Sequence, residues 1–356
     1  MSEIFKKFTK REDIFMYNIN DKNNFFSKNL LSLIKFHLKN CKEYKKIFFS
    51  LSLKKNIYKI ENLPFIPVSF FKKFDLLSVE KSKIIKVLKS SGTTSNLPSK
   101  IYLDVENSKN QTWVLSKIVQ SILGKKRLPM LVIDKDPKGI SREQYNARVA
   151  AINGFSIFGR NITFLINEKN EVDEKKFKEF LSLHSNEKFF IFGFTNLIYE
   201  YLIKSKKINL TGDLKNAILL HGGGRKKLTD VLISNEKFKK ILLQKYNLKN
   251  IYNYYGLIEQ TGSIFIECNK CSLLKCSLYS DVFLRDENLN LITKNKTKGL
   301  LQLMSLLPSS YPGNNILTED IGEIVDVKKC DCGFKGKRFK VHGRTKNSEI
   351  RGCANI

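Results

Sequence analysis

The sequence predicts an α/β fold with a parallel-sheet core and a later, smaller β-rich subdomain. Three patterns along the chain carry this prediction. Apolar residues at helical spacing mark residues 1–84, short apolar runs alternate with helical patterns over residues 85–250, and short strands separated by turns fill residues 251–356. Repeated alternation of strand, turn and helix is typical of a sheet whose strands run parallel. We therefore expect a helical lead-in packed on the main body, an α/β core and a β-rich end.

The helical lead-in contains one amphipathic helix. Its apolar face comprises Phe25, Phe26, Leu30, Leu33, Ile34 and His37. A histidine on such a face is expected to be packed rather than reactive. Two prolines in LPFIPVSFFKKF, residues 63–74, favour an extended connection into the main body.

The core contains three apolar runs that end in turn residues. These predicted buried strands are PMLVID (129–134), KFFIFGFT (188–195) and NAILLHGGG (216–224). Helical patterns follow at residues 196–206 and 226–246. Ligands of parallel sheets bind beyond the carboxyl ends of the strands, so we expect the loops at those ends to form the functional site.

The last part of the chain changes character. YNYYG, DVFLRD, GLLQLMSLL and GEIVDV are predicted strands with short turns between them and few helical stretches. This pattern indicates a more antiparallel or barrel-like subdomain.

Composition places the chain among ordinary globular proteins. It has 356 residues, is 42% hydrophobic, and its best apolar run, FFIFGF at 189–194, is far shorter than the roughly 18 residues that cross a bilayer. The N-terminus lacks the apolar region of a secretory signal, and we expect a cytoplasmic protein with no membrane span. The formal charge of +29 admits a nucleic-acid-binding protein as a remote alternative. Because the lysines are spread along the chain, we expect no nucleic acid as a partner and instead an acidic protein or an anionic substrate.

The most unusual loop is SSGTTSNLPSK, residues 90–100, which places Ser, Gly and Thr side by side ahead of Lys100. Such a loop can surround phosphate oxygens with hydroxyl and backbone N–H groups, and the lysine adds a positive charge. A solvated Ser/Thr loop explains the same residues. The loop also lacks the second glycine and the Gly-Lys pair of the common phosphate loop.

Three further segments suit a nucleotide. HGGGRKK, residues 221–227, would let a flat ring approach the backbone, although a tight turn needs the same glycines. YYGLIEQTG, residues 254–262, combines aromatic rings with Glu259, whose carboxylate suits Mg²⁺. In LTEDIGE, residues 317–323, Asp320 lies in a predicted turn where it can accept hydrogen bonds from both ribose hydroxyls.

The order of these motifs resembles that of the adenylate-forming enzymes, which couple a carboxylate to ATP as an acyl-adenylate and release pyrophosphate. More narrowly, the chain resembles the acyl-protein synthetases, the LuxE-type component of the fatty acid reductase of bacterial luminescence. The stretches that carry the resemblance, over roughly residues 60–356, are SSGTTSNLPSKIYLD, HGGGRKKL, YGLIEQTGSIFIEC, LPSSYPGNNILTEDIG and the terminal GRTKNSEIRGC. The resemblance implies the large-domain fold of adenylate-forming enzymes.

The resemblance also implies roles for individual residues. The residues implied to bind the β- and γ-phosphates of ATP are Ser90, Ser91, Gly92, Thr93, Thr94 and Lys100. Those implied to surround adenine are Gly222, Gly223, Gly224, Tyr255 and Gly256. Asp320 would bind the ribose, and Arg344 the ribose or the α-phosphate. Glu259 would hold Mg²⁺. Two departures from the family pattern matter: Ile258 replaces the usual Thr, and the chain ends too soon after Arg344 for the usual small C-terminal domain with its lysine. Lys100 and Lys346 are the candidates to replace that lysine.

Cys353 is the predicted acyl acceptor. A thiolate attacks an acyl-adenylate readily and gives a thioester, and the nearby Arg351 favours the thiolate. The implied reaction converts a carboxylic acid, expected to be a fatty acid, to acyl-AMP and then to an acyl group on Cys353. An acyl-reductase or acyltransferase would receive it. The alternative is an acyl- or aryl-CoA ligase related to phenylacetate–CoA ligase.

The remaining cysteines predict a structural metal site. Cys268, Cys276, Cys330 and Cys332 supply the four thiolates of a tetrahedral zinc site, and Cys271 is either spare or takes the place of Cys276. Unligated thiols are the competing interpretation. Related adenylating ligases resembling phenylacetate–CoA ligase carry a Cys/His zinc site in this region.

Overall fold

The computed structural model describes residues 13–51, 59–90, 98–139, 147–204, 212–223, 233–326 and 330–345. Within these ranges the chain forms two compact units. We call residues 119–255 the parallel unit, and residues 13–118 with 256–345 the mixed unit. The second boundary lies near the predicted start of the β-rich subdomain, whereas residues 85–118 of the predicted core fall in the mixed unit.

The first part of the chain gives the mixed unit its helices and a two-stranded ribbon. In order, the elements are α1 (Ile19–Asn40), α2 (Lys42–Leu51), β1 (Ile66–Pro67), α3 (Phe70–Lys73), β2 (Ile84–Lys89), β3 (Lys100–Asp104) and α4 (Val105–Leu123). Strands β2 and β3 pair antiparallel and form the ribbon.

Helix α1 begins where the Asn18 side chain accepts hydrogen bonds from the N–H groups of Asn20 and Asp21, which satisfies donors that the first turn cannot pair. Its buried side chains are Lys22, Phe26, Leu30, Leu33, Ile34 and His37. The predicted face is therefore buried, apart from Phe25, which is half-buried. His37 is packed as expected, with no exposed surface.

The parallel unit alternates strands and helices. Its elements are β4 (Leu128–Ile133), α5 (Ala147–Ser156), β5 (Gly159–Phe164), α6 (Glu174–His184), β6 (Phe189–Phe194), α7 (Thr195–Ile198) with a π-helical turn (Tyr199–Lys204), β7 (Ala217–Gly222), α8 (Asn235–Tyr246) and β8 (Asn250–Tyr255). The strands lie in the order β8-β7-β6-β4-β5, and all neighbouring pairs are parallel. The three predicted buried strands are thus β4, β6 and β7.

Burial explains why these runs are uniformly apolar. Every residue of β6 and β7 is buried, because helices cover the sheet. Phe177 and Phe180 of α6 and Phe238 and Leu242 of α8 pack into one cluster with strand residues such as Ile191. The register sets Phe194 beside Gly222 and Gly222 beside Tyr254, so these three strands end at one edge of the sheet.

The last part of the chain completes the mixed unit with β9 (Phe265–Glu267), β10 (Leu274–Lys275), β11 (Ser280–Arg285), β12 (Lys298–Ser305), β13 (Asn315–Ile324) and β14 (Arg338–Arg344). They lie in the order β11-β12-β13-β14-β10-β9, and all the neighbouring pairs are antiparallel. The predicted antiparallel end is present.

Two predicted stretches of the framework differ from the structure, in addition to the site residues discussed below. YNYYG was assigned to the antiparallel end, yet it forms β8, which pairs with β7 in parallel. The stretch over residues 63–74 is extended only at its start: Ile66 and Pro67 pair with β13, and Phe70–Lys73 form the short helix α3. Both stretches are short, so the strands with which they pair, β7 for YNYYG and β13 for Ile66 and Pro67, decide where they are extended. Among the described helices, none has the length and apolar character that crossing a membrane requires.

Candidate active site and cysteine cluster

Gly222 ends strand β7 in the parallel unit, and Gly223 follows it directly. A Cβ atom on Gly222 would lie 2.5 Å from the Tyr254 ring and 2.6 Å from the Tyr254 carbonyl oxygen, so the strand pairing itself requires glycine there. Gly223 has a φ of 62°, a left-handed conformation that glycine adopts without strain. Gly224 lies outside the described residues. Close packing therefore explains at least one of the glycines that the sequence assigned to adenine.

Aromatic rings line the same strand ends. Phe155 contacts Phe192 at 4.5 Å and Tyr254 at 5.2 Å between ring centroids. The buried His221 places its Nδ1 2.9 Å from the Thr195 hydroxyl. Tyr255, the predicted adenine neighbour, is half-buried at the end of β8.

The ribbon of the mixed unit carries the ends of the hydroxyl-rich loop. The Ser90 N–H donates to the Ser99 carbonyl oxygen at 3.0 Å, and the Ser99 N–H donates to the Ser90 hydroxyl at 2.8 Å. We call these two residues the neck. The Ser90 hydroxyl thus closes the neck, in addition to any role with phosphate. Ser91, Gly92, Thr93 and Thr94 lie outside the described residues.

Lys100 lies directly after the neck and is held by Asp75. Its Nζ is 3.3 Å from Asp75 Oδ1, and the Tyr102 hydroxyl donates to the same oxygen at 2.7 Å. The hydrogen bond from Tyr102 has the largest effect and lowers the pKa of Asp75; burial acts in the opposite direction, and the Lys100 ammonium adds to the lowering. Sequence reasoning missed Asp75, because a single aspartate after FFKKF belongs to no recognisable motif.

Glu259 lies in a 3₁₀ turn, Ile258–Gln260, and is 3% exposed. Two side chains fix the turn. Gln260 Nε2 donates to the carbonyl oxygens of Gly313, at 2.8 Å, and Leu303, at 3.1 Å, and the Tyr311 hydroxyl donates to the Glu259 carbonyl oxygen at 3.0 Å. A buried carboxylate on a fixed turn offers the oxygen ligands that Mg²⁺ prefers. Gly256, just before this turn, packs against Ile264.

Asp320 was predicted to lie in a turn, but it lies inside strand β13, because this strand pairs with β12 on one side and β14 on the other. On β14, Arg344 lies directly opposite Asp320. Arg344 Nε donates to Asp320 Oδ1 at 3.1 Å, and Arg344 Nη1 lies 3.7 Å from Glu319 Oε2. The Asp320 backbone N–H donates to the Thr318 hydroxyl at 3.1 Å. The two residues that the sequence assigned to ribose and the α-phosphate are therefore neighbours in one ion pair.

The cysteine cluster consists of two short loops that face each other. Among the described residues, ligand atoms of Cys268, Cys271 and Cys330 lie within 4.8 Å of one another, and the Cys268 and Cys330 sulfurs are 3.9 Å apart. In the first loop the Lys270 N–H points at Cys268 Sγ at 3.4 Å, and in the second the Gly333 N–H bonds the Cys330 carbonyl. Backbone N–H groups aimed at sulfur favour thiolates, so the donor set suits a soft divalent metal.

Cys332 lies beside this cluster and has a thiol that ionises readily. Burial alone raises the pKa of its thiol, but hydrogen bonds from the Phe334 N–H, Cys330 and Arg338 lower it to about 7. Arg338 Nη2 lies 3.7 Å from the Cys332 sulfur. The structure thus groups Cys268, Cys271 and Cys330, and Cys332 lies beside that group, with Cys330 and Cys268 among its hydrogen-bond partners.

Cys276, one of the four predicted ligands, lies elsewhere. Its thiol is fully buried near Lys22, Asp281 and Lys337, and burial raises its pKa to about 12. Among the described residues, it does not belong to the group of thiols close enough together to hold a metal. The geometry therefore favours the alternative in which Cys271 takes the place of Cys276. Cys353 and Lys346 lie outside the described residues.

Comparisons with known proteins agree on one enzyme class. The family model "Acyl-protein synthetase, LuxE" matches residues 3–356. No curated protein matches the chain. An open crystal structure of 2-hydroxyisobutyryl-CoA ligase with its acyl-AMP and CoA superposes with a TM-score of 0.71 at 13% identity, over 96% of this chain and 79% of that one. The postadenylation structure of the same ligase gives a TM-score of 0.70 at 12% identity, over 94% and 71%.

At such low identity these structures support only the fold, which is that of the adenylate-forming ligases. The family match establishes the enzyme class, because it extends over nearly the whole chain. The protein belongs to the LuxE family of acyl-protein synthetases and is an adenylate-forming ligase.

Proposed function

We propose that the protein activates a fatty acid with ATP and then carries the acyl group on Cys353 as a thioester. The observation that carries the first step is the pairing of Asp320 with Arg344 within a chain that matches the acyl-protein synthetase family from end to end. A carboxylate and a guanidinium held together on adjacent strands suit a ribose and its 5′-phosphate. The family description names an acyl group, which makes a carboxylic acid the class of substrate.

In the first step a carboxylate oxygen of the acid attacks the α-phosphorus of ATP, and the bond to the bridging oxygen of pyrophosphate breaks. Asp320 would accept hydrogen bonds from the ribose hydroxyls, while Arg344 would balance negative charge at the α-phosphate. Glu259 would hold Mg²⁺, which supplies positive charge to the phosphates. Lys100, with the neck and loop residues Ser90, Ser91, Gly92, Thr93 and Thr94, would bind the β- and γ-phosphates, and Gly222, Gly223, Gly224, Tyr255 and Gly256 would enclose adenine.

In the second step the Cys353 thiolate attacks the acyl carbon of the acyl-adenylate. The carbon–sulfur bond forms, the bond to the AMP oxygen breaks, and AMP leaves with that electron pair. The thiol proton passes to solvent before the attack. Because a thioester stays reactive, the acyl group could then pass to an acyl-reductase or acyltransferase partner.

We also propose a structural zinc at Cys268, Cys271, Cys330 and Cys332. The mutual proximity of the described thiols and the N–H group that faces Cys268 support it. Four thiolates are a common donor set for a closed, structural zinc site. The metal would tie the loop after β9 to the loop before β14.

Fatty-acid-dependent ATP–pyrophosphate exchange tests the first step. We expect wild type to exchange, and Glu259→Gln and Asp320→Ala to lose about a hundredfold in rate, because each removes one electrostatic contact. The exposed Glu287→Gln is the matched control and should exchange normally. Full exchange in both site variants would show that these residues have no part in the reaction. If wild type exchanges with no fatty acid or other carboxylic acid, the proposed adenylation is wrong.

Radiolabelled fatty acid tests the second step. Cys353→Ser should keep exchange but lose covalent label, since a serine hydroxyl is a far weaker nucleophile than a partly ionised thiol. Label on wild type should be released by neutral hydroxylamine, as a thioester is. Full labelling of Cys353→Ser would place the acceptor elsewhere. An unlabelled wild type that makes acyl-CoA when CoA is added would establish the CoA-ligase alternative.

A further inference from the structure

Two lysines stand opposite each other where the ribbon meets its loop. Lys89 ends β2, Lys100 begins β3, and the register pairs them directly. Directly opposite residues of an antiparallel pair point to the same face, with Cβ atoms roughly 4.5–5.5 Å apart. The neck hydrogen bonds between Ser90 and Ser99 fix this pairing at its outer end. The two lysine side chains therefore leave the ribbon side by side on the same face.

Like charges directly opposite each other destabilise a sheet. The carboxylate of Asp75 pairs with Lys100 and accepts a hydrogen bond from the Tyr102 hydroxyl. Lys89 is exposed and has no carboxylate partner among the described residues. Asp75 thus offsets the charge of Lys100 but not that of Lys89, which leaves this end of the ribbon positively charged.

The Asp75–Lys100 pair is easily exchanged. The two side chains are 63% and 42% exposed, and ion pairs this open to water contribute little. An anion with several charges would displace the Asp75 carboxylate from Lys100 at small cost. A polyphosphate fits this description, because neighbouring phosphoryl groups can each accept a hydrogen bond from a different lysine ammonium group.

We propose that Lys89 is a second phosphate-binding residue, which acts with Lys100 as a two-ammonium clamp on the polyphosphate of ATP and on pyrophosphate. Asp75 is the counter-ion of Lys100 in the empty site and competes with the phosphates for it. The inference rests on the proposed use of ATP, and it adds two residues, Lys89 and Asp75, to that site.

Titration calorimetry with magnesium pyrophosphate tests the clamp, and Lys86→Ala is the matched control. Lys86 lies three residues earlier on β2 and is also exposed, but its partner across the ribbon is Leu103 rather than a lysine. Lys89→Ala should weaken pyrophosphate binding about tenfold, the range expected for one charge-assisted hydrogen bond, while Lys86→Ala should not. Lys89→Arg should restore most of the affinity.

Two further readouts separate binding from folding. Lys89→Ala should raise KM for MgATP with little change in kcat, because the contact is made before and during the reaction. Asp75→Asn should tighten pyrophosphate binding several-fold, since Lys100 loses its competitor but Tyr102 keeps an acceptor.

The outcomes distinguish this inference from the proposed function. Equal binding by Lys89→Ala and Lys86→Ala would overturn the clamp while exchange in wild type upheld adenylation. Weaker binding by Asp75→Asn would overturn the competing role of Asp75. A wild type that binds neither MgATP nor pyrophosphate would overturn both the clamp and the proposed function.

Discussion

At the scale of single residues, the position in the sheet decides what each predicted site residue does. Asp320 and Arg344 were assigned to the nucleotide separately, and the register of β13 with β14 makes them one ion pair. Ser90 was assigned to phosphate, and its hydroxyl accepts the Ser99 N–H. The motifs identified these residues as candidates, and their roles with the nucleotide stay predictions. They could not predict Asp75, whose importance comes from a contact with Lys100 across 25 residues.

Gly222 gives a residue-scale prediction. We expect Gly222→Ala to destabilise the parallel unit by about 1–3 kcal/mol, because its methyl group would overlap the Tyr254 ring and carbonyl oxygen, at 2.5 and 2.6 Å. Gly256→Ala is the comparison, since its Cβ would meet only Ile264 Cγ2 at 3.0 Å and should cost less. Urea unfolding measures both. Equal, small losses would mean that the strand end adjusts and that Gly222 serves a ligand alone.

At the scale of elements, the sequence predicted what is local. Uniformly apolar runs predicted β4, β6 and β7, because strands covered on both faces need no polar side. The sequence did not predict the partner of β8, because alternation within a strand carries no information about the direction of its neighbour. The same limit applies to the cysteines: the sequence left open whether Cys271 takes the place of Cys276, and only the fold separates the two.

The cysteine loops give an element-scale prediction. We expect about one zinc per chain, lost in Cys271→Ser and retained in Cys276→Ser, because the fold places only Cys271 with Cys268 and Cys330. Atomic absorption on gently purified protein measures the stoichiometry. Since a structural zinc contributes directly to folding free energy, Cys271→Ser should also melt earlier and lose the dependence of melting on chelator. Zinc lost from Cys276→Ser but kept by Cys271→Ser would reverse the assignment.

At the scale of the whole molecule, the stability of the mixed unit depends on polar groups buried far apart in sequence. His37 of α1 lies with its Nδ1 2.7 Å from the Ser78 hydroxyl and its Nε2 3.3 Å from the Pro308 carbonyl oxygen. The Tyr44 and Phe36 rings cover it edge-on. Burial lowers the pKa of His37 to about 4, although its hydrogen bonds to the Pro308 carbonyl oxygen and to the Asn314 side chain act in the opposite direction. The helical lead-in is therefore joined to the β-rich part through a neutral histidine.

This histidine predicts how stability depends on pH. With a pKa of about 4 in the folded chain against 6.5 unfolded, His37 binds a proton only in the unfolded chain at intermediate pH. The free energy of unfolding should therefore fall as pH drops below about 6.5, with a loss of about 2 kcal/mol from this residue at pH 5. The loss stops growing below about pH 4, where the folded state also binds the proton.

Urea unfolding at pH 8 and pH 5 checks this prediction with two variants. His37→Gln should cost stability at pH 8 through lost packing, yet lose about 2 kcal/mol less than wild type between pH 8 and pH 5. Ser78→Ala removes a hydrogen-bond partner but keeps the histidine, so it should be less stable at both pH values and retain the acid-dependent loss. If His37→Gln and wild type lose the same amount on acidification, the protons are taken up elsewhere, and His37 only fills space between the lead-in and the β-rich part.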